Sequence, residues 1–62
     1  MPMIRVEMFA GRSDDQKRAL AKELTDAFIR TAGGNPDAVE VMIVDVEKDS
    51  WAKGGVLFSD RG

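Results

Sequence analysis

From Met3 to Phe9 apolar and polar side chains alternate, with Ile4, Val6 and Met8 on one side and Arg5 and Glu7 on the other. That period of two predicts a strand. Ala10-Gly11-Arg12 breaks the alternation, and the period then becomes helical, placing Leu20, Leu24, Ala27, Phe28 and Thr31 on one stripe that the pattern predicts to be buried. Ser13-Asp14-Asp15-Gln16 reads as a capping box, so the helix is expected to begin at Ser13. Asp14 and Asp15 fall where the positive end of the helix dipole favours them. Arg18, Lys22, Glu23, Asp26 and Arg30 form an ordinary solvated face. Gly33-Gly34 supplies a left-handed ending, and Pro36 forbids continuation.

Val39 to Val46 reads as a second strand in which both alternation classes are apolar: Val39, Val41 and Ile43 on one side, Met42, Val44 and Val46 on the other. Such a strand must be covered on both faces. One long helix fills the interval between the strands, so a β-α-β crossover with parallel strands is expected. A single helix covers one face only, and the other is left for a second copy or another protein. A homo-oligomer follows. In the tail, Gly54-Gly55 between short apolar segments predicts a hairpin, expected to pack against a neighbouring subunit. The fold class is therefore α+β: a β-α-β protomer with a two-stranded parallel sheet and a C-terminal hairpin. Residues 1–62 form a single domain without an internal repeat or linker.

Composition strengthens the oligomer argument. A chain of 62 residues buries only about 60% of the surface its unfolded form exposes. Small folds are supported by disulfides, metals or association, and a chain with no Cys and no His has little access to the first two. The 44% hydrophobic content is enough for a core plus an interface. Nine basic residues against eleven acidic give a net charge of −2 without a basic cluster, which argues against nucleic acid as a partner. No apolar run approaches a membrane span or signal-peptide core, so a cytoplasmic protein without membrane contact is expected. The absence of cysteine fits a reducing compartment.

The chemistry is limited by what is missing. Without His, Cys or Tyr, the usual general bases and nucleophiles near neutral pH are absent. Met1-Pro2 offers a substitute. Methionine is commonly trimmed ahead of a small residue, and its removal turns Pro2 from an amide into a titratable secondary amine at the head of a strand. An α-amino group titrates near ~7.7–8.0, and an apolar pocket or a nearby cation lowers that value. Should Met1 be retained, the base is lost.

Pro2 opening a strand, Gly11-Arg12-Ser13-Asp14-Asp15-Gln16-Lys17 opening a helix, a second strand, and Trp51 ahead of Gly54-Gly55 together resemble the 4-oxalocrotonate tautomerase family over nearly the whole chain. The resemblance implies β-α-β protomers pairing into dimers that assemble as a hexamer, a trimer of dimers. It also implies active sites at subunit boundaries and no metal or organic cofactor. By the same resemblance Pro2 is the general base that moves a proton between an enol oxygen and a carbon. Arg12 binds a substrate carboxylate through its planar fork. Trp51 lines the hydrophobic wall that keeps the amine neutral.

At the start of the second strand the best-known members carry a second arginine, and here Glu40 stands in its place. An acidic group cannot stabilise negative charge developing on oxygen, and it repels a dicarboxylate. Glu40 could instead pair with Arg12 or another basic side chain, accept a hydrogen bond from substrate, orient a water, or remain idle in solvent. Arg5, Lys53 and Arg61 are candidate replacement cations, with Arg5 the poorest because alternation sets it opposite Pro2. Three readings follow. The first is a tautomerase acting on a small unsaturated 2-hydroxy or 2-oxo acid through Pro2 and Arg12. The second is a hydratase or dehalogenase in which protonated Pro2 acts with Glu40. The third is a non-catalytic oligomeric module.

Overall fold

The computed structural model describes residues 1–61. Strands β1 (Met3–Phe9) and β2 (Glu40–Val46) pair in parallel over their full lengths, Met3 opposite Glu40 and Phe9 opposite Val46. Helix α1 (Asp14–Ala32) connects them. A short antiparallel hairpin, β3 (Ala52–Lys53) and β4 (Val56–Leu57), closes the chain. The β-α-β protomer with a C-terminal hairpin expected from the pattern is the one observed.

Local chemistry sets the ends of the helix. The Ser13 N–H donates to Gln16 Oε1 at 2.9 Å, and the Gln16 N–H donates to Ser13 Oγ at 3.1 Å, so the capping box is complete in both directions. At the other end the Gly33 N–H reaches the Ile29 carbonyl at 3.0 Å. Gly33 has φ 79° and ψ −177°. That is a glycine-only extended conformation with positive φ, and not the left-handed helical ending the pattern implied. Thr31, placed on the buried stripe by periodicity, is exposed, and its hydroxyl donates to the Ala27 carbonyl at 2.8 Å. A β-branched residue that satisfies itself on the preceding turn has no need of the core.

The second strand starts one residue later than its hydrophobic run. Pro36–Ala38 forms a 3-10 turn capped by Asn35, whose Oδ1 accepts from the Asp37 N–H at 3.0 Å, and the Val39 N–H closes the turn on the Pro36 carbonyl at 3.1 Å. Val39 spends its donor on the turn. Glu40 therefore makes the first ladder bond, its N–H donating to the Pro2 carbonyl at 2.9 Å.

Residues opposite one another in a parallel ladder share a face. Ile4, Val6 and Met8 lie level with Val41, Ile43 and Asp45 on the helix side, where Asp45 accepts a hydrogen bond from the Lys17 ammonium of α1. The opposite face carries Met3, 52% exposed, and Met42, 45% exposed, beside an Arg5–Glu7 ion pair at 3.1 Å. This second face, expected to be covered, is open in the protomer. The helix stripe corrects in the same direction: Leu20, Leu24, Ala27 and Phe28 are half-buried, and no described residue is fully buried. With only one layer interface, every apolar side chain keeps contact with solvent.

The global dimensions agree. The radius of gyration is 14.8 Å, against about 11 Å for a compact chain of this length. The accessible surface is 4682 Å², against about 4,000 Å² for a folded monomer of this mass. Within the protomer the tail anchors on the end of β1 through the ring of Phe9. Gly54 (φ 60°) and Gly55 (φ 82°) make the two-residue turn, which needs positive φ at both positions. The Phe58 N–H then returns to the Trp51 carbonyl at 2.8 Å. Among the described residues no helix is long and apolar enough to cross a membrane.

Ser13→Ala removes one arm of the capping box and is expected to destabilise the fold by about 1 kcal/mol, read as a lowered urea midpoint. The Lys17 pKa is raised, chiefly by the hydrogen bond to Asp45, which desolvation partly offsets, with lesser contributions from the Asp45 and Asp14 charges. A raised lysine pKa contributes stability that is present while the ammonium persists and is lost as pH climbs through the folded-state value. Asp45→Asn should therefore lower the thermal midpoint at neutral pH, with the gap to the parent closing at strongly alkaline pH. A gap that stays constant across that range contradicts the assignment.

Candidate functional site

Because α1 runs back against the strands, its C-terminal end lies beside the N-terminal ends of β1 and β2. A cavity of about 500 Å³ opens there. Pro2, half-buried, forms part of its wall together with Phe28 from the last turns of the helix and Ala38 and Val39 from the approach to β2. Gly33 and Gly34 contribute backbone, and Asn35 is the one lining residue with a hydrogen-bonding side chain. Met1 also borders the cavity and is 89% exposed. No charged side chain lines it.

Glu40 is adjacent to Pro2 through the backbone, but its side chain is exposed and does not line the cavity. Its ladder position, level with Met3, puts it on the open face of the sheet. Arg12, also exposed, precedes the N-cap Ser13. It therefore lies beyond the opposite end of β1, with about 23 Å of extended strand between Pro2 and Phe9. Neither Arg12 nor Arg5 borders the cavity. Arg5 is held instead by Glu7. Pro2 and Glu40 thus share one end of the sheet, while Arg12 marks the other.

Trp51 belongs to the Arg12 end. Three of the chain's four aromatic rings cluster there: Phe9 lies 4.7 Å from Trp51 and 5.0 Å from Phe58, and Trp51 and Phe58 are 6.0 Å apart, all in tilted or edge-on arrangements. Those geometries match the edge-to-face preference of ring quadrupoles. Cations flank the cluster, with the Lys48 ammonium 5.6 Å from the Phe9 ring centre and the Arg61 guanidinium 5.2 Å from that of Phe58. Arg61 also donates to the Lys53 carbonyl at 2.7 Å. The candidate replacement cations Lys53 and Arg61 therefore lie with the aromatic cluster, away from Pro2.

One protomer thus places the residues singled out from the sequence at two separate ends, Pro2 and Glu40 at one and Arg12 and Trp51 at the other. Periodicity assigned Phe28 and Val39 to core packing, and Asn35 drew no reading at all. The topology contained the missing signal, because a helix antiparallel to two parallel strands must bring its last turn to their first residues. Among the described residues no group of three or more His, Cys, Asp or Glu side chains could hold a metal ion.

Comparison with known proteins agrees with this architecture. The family profile described as Tautomerase enzyme matches residues 2–61. A protein of Staphylococcus epidermidis named as a probable tautomerase is 44% identical over 61 residues, spanning 98% of this chain and all of that protein. The crystal structure of YwhB, described as a homologue of 4-oxalocrotonate tautomerase, superposes with a TM-score of 0.93 at 36% identity, covering 98% of this chain and 100% of YwhB. A heterohexameric 4-oxalocrotonate tautomerase from Chloroflexus aurantiacus superposes with a TM-score of 0.90 at 29% identity over the full length of both chains.

Phe9 is the hinge of the aromatic cluster. Phe9→Ala removes two ring pairs worth about 0.5–1.5 kcal/mol each. It should lower the unfolding midpoint and shift the emission of Trp51, the only tryptophan, to longer wavelength. Unchanged emission would place Trp51 outside this cluster in solution.

Proposed function

Since this chain belongs to the 4-oxalocrotonate tautomerase family, an isomerase family, we propose that it is a cofactor-independent tautomerase of a small unsaturated 2-hydroxy or 2-oxo acid, with Pro2 as the proton carrier. The supporting observation is the position of Pro2 in the wall of a cavity that no charged side chain of the described residues lines. Once Met1 is removed, the Pro2 nitrogen takes the hydroxyl proton of the enol and returns it to a carbon of the conjugated chain. One group serves as base and then as acid, and no co-reactant is consumed.

The carboxylate of the substrate is held by Arg12 of another subunit. A two-fold axis that runs paired strands antiparallel brings the Pro2 end of one protomer to the Arg12 and Trp51 end of its partner, closing a site that a single chain leaves divided. The exposed Met3 and Met42 and the half-buried helix stripe supply apolar surface for that pairing. A hexamer built as a trimer of such dimers is the assembly we assign, in keeping with the hexameric relative. Glu40 is exposed at the Pro2 end of the sheet and takes no part in this reaction as proposed.

Protein whose intact mass shows loss of Met1 should ketonise phenylenolpyruvate, with a rate that rises through an apparent pKa below the ~7.7–8.0 of a free α-amine. Pro2→Ala should lower kcat by about 10²–10⁴-fold, and Arg12→Ala should chiefly raise KM. Equal rates for Pro2→Ala and the parent would remove Pro2 from the reaction.

A further inference from the structure

No charged side chain of the described residues lines the Pro2 cavity, yet a proton transfer that passes through an enolate needs a donor for the oxygen. Asn35 is the only side chain in the cavity wall able to donate. Its orientation is set by chemistry: the Asp37 N–H requires an acceptor, so the atom facing it at 3.0 Å is Oδ1. The two hydrogens on Nδ2 then remain, and no acceptor takes them among the described residues. The cap that starts the turn before β2 thus holds the side-chain amide of Asn35, a residue of the wall that Pro2 also lines.

We propose that Asn35 Nδ2 donates a hydrogen bond to the C2 oxygen of the substrate, stabilising the enolate formed when Pro2 has taken the proton. This rests on the tautomerase reading and deepens it. The bond strengthens as the oxygen gains charge, and the amide needs no reorganisation because Oδ1 is already held. It also sets the substrate class. A neutral donor, an apolar wall of Phe28 and Val39 and no charged lining side chain fit a monocarboxylic acid that is apolar beyond C3, with the carboxylate next to C2 turned out toward Arg12 of another subunit, whereas a second carboxylate entering this cavity would be desolvated without a counter-ion.

Asn35→Ser keeps an oxygen for the Asp37 cap and withdraws the amide donor, so the fold is retained. With phenylenolpyruvate, kcat should fall by about 10–100-fold. The inhibition constant of 3-phenylpropanoate, which lacks the C2 oxygen, should stay within about two-fold of the parent, a change worth less than the weakest hydrogen bond. Asn35→Asp, which also keeps the cap, should lose at least as much. An Asn35→Ser enzyme with the parent kcat, measured beside an inactive Pro2→Ala, overturns the role of Asn35 and leaves the tautomerase reading standing. A fall in kcat matched by an equal loss of 3-phenylpropanoate binding also overturns it, since the defect is then structural. Full activity in Pro2→Ala overturns the reading and this inference together.

Discussion

A two-stranded parallel sheet has two faces, and this chain provides one helix. Everything else in the molecule follows from that shortage. Along β1 the problem is mild, because Arg5 and Glu7 fill the open side and pair with each other. Along β2 it is not, because Met42 and Val44 have no polar alternation to protect them. The result is a folded chain with complete hydrogen-bonded elements and no fully buried side chain among the described residues, more extended and with more exposed surface than its length requires. In the assembly proposed above, association supplies the missing layer.

The same geometry divides the chemistry. Seven residues of extended β1 separate the apolar cavity at Pro2 from the Arg12 turn and the Phe9–Trp51–Phe58 cluster. In the account proposed here, the two-fold pairing that covers the open face also joins the proton carrier to the carboxylate binder. Stability and activity would then depend on one contact. A strand terminus is exposed by nature, and on the proposed assembly a partner subunit is what encloses Pro2, the proposed base of a chain lacking His, Cys and Tyr.

Much of the fold was readable from spacing alone. The alternation of Ile4, Val6 and Met8, the Ser13–Gln16 box and the Gly54-Gly55 turn are local signals, and each appears where local physics puts it. Departures came where one local bond outcompeted periodicity. Thr31 bonded to its own helix, and Val39 gave its N–H to the turn that Asn35 caps. The site was less legible, because cavities form between elements distant in sequence. Pro2 and Arg12 could be named from a motif, but their separation, and the convergence of Phe28, Asn35 and Val39 on Pro2, depend on how the helix returns across the sheet.

The central claim is that the protomer is completed by association, and equilibrium unfolding across a wide range of protein concentration tests it most directly. If folding and assembly are coupled, the urea midpoint should rise steadily with concentration, because mass action favours the assembled state. Loss of secondary structure should coincide with loss of the sedimenting oligomer. A midpoint independent of concentration, with a folded monomer persisting at high dilution, would contradict the account.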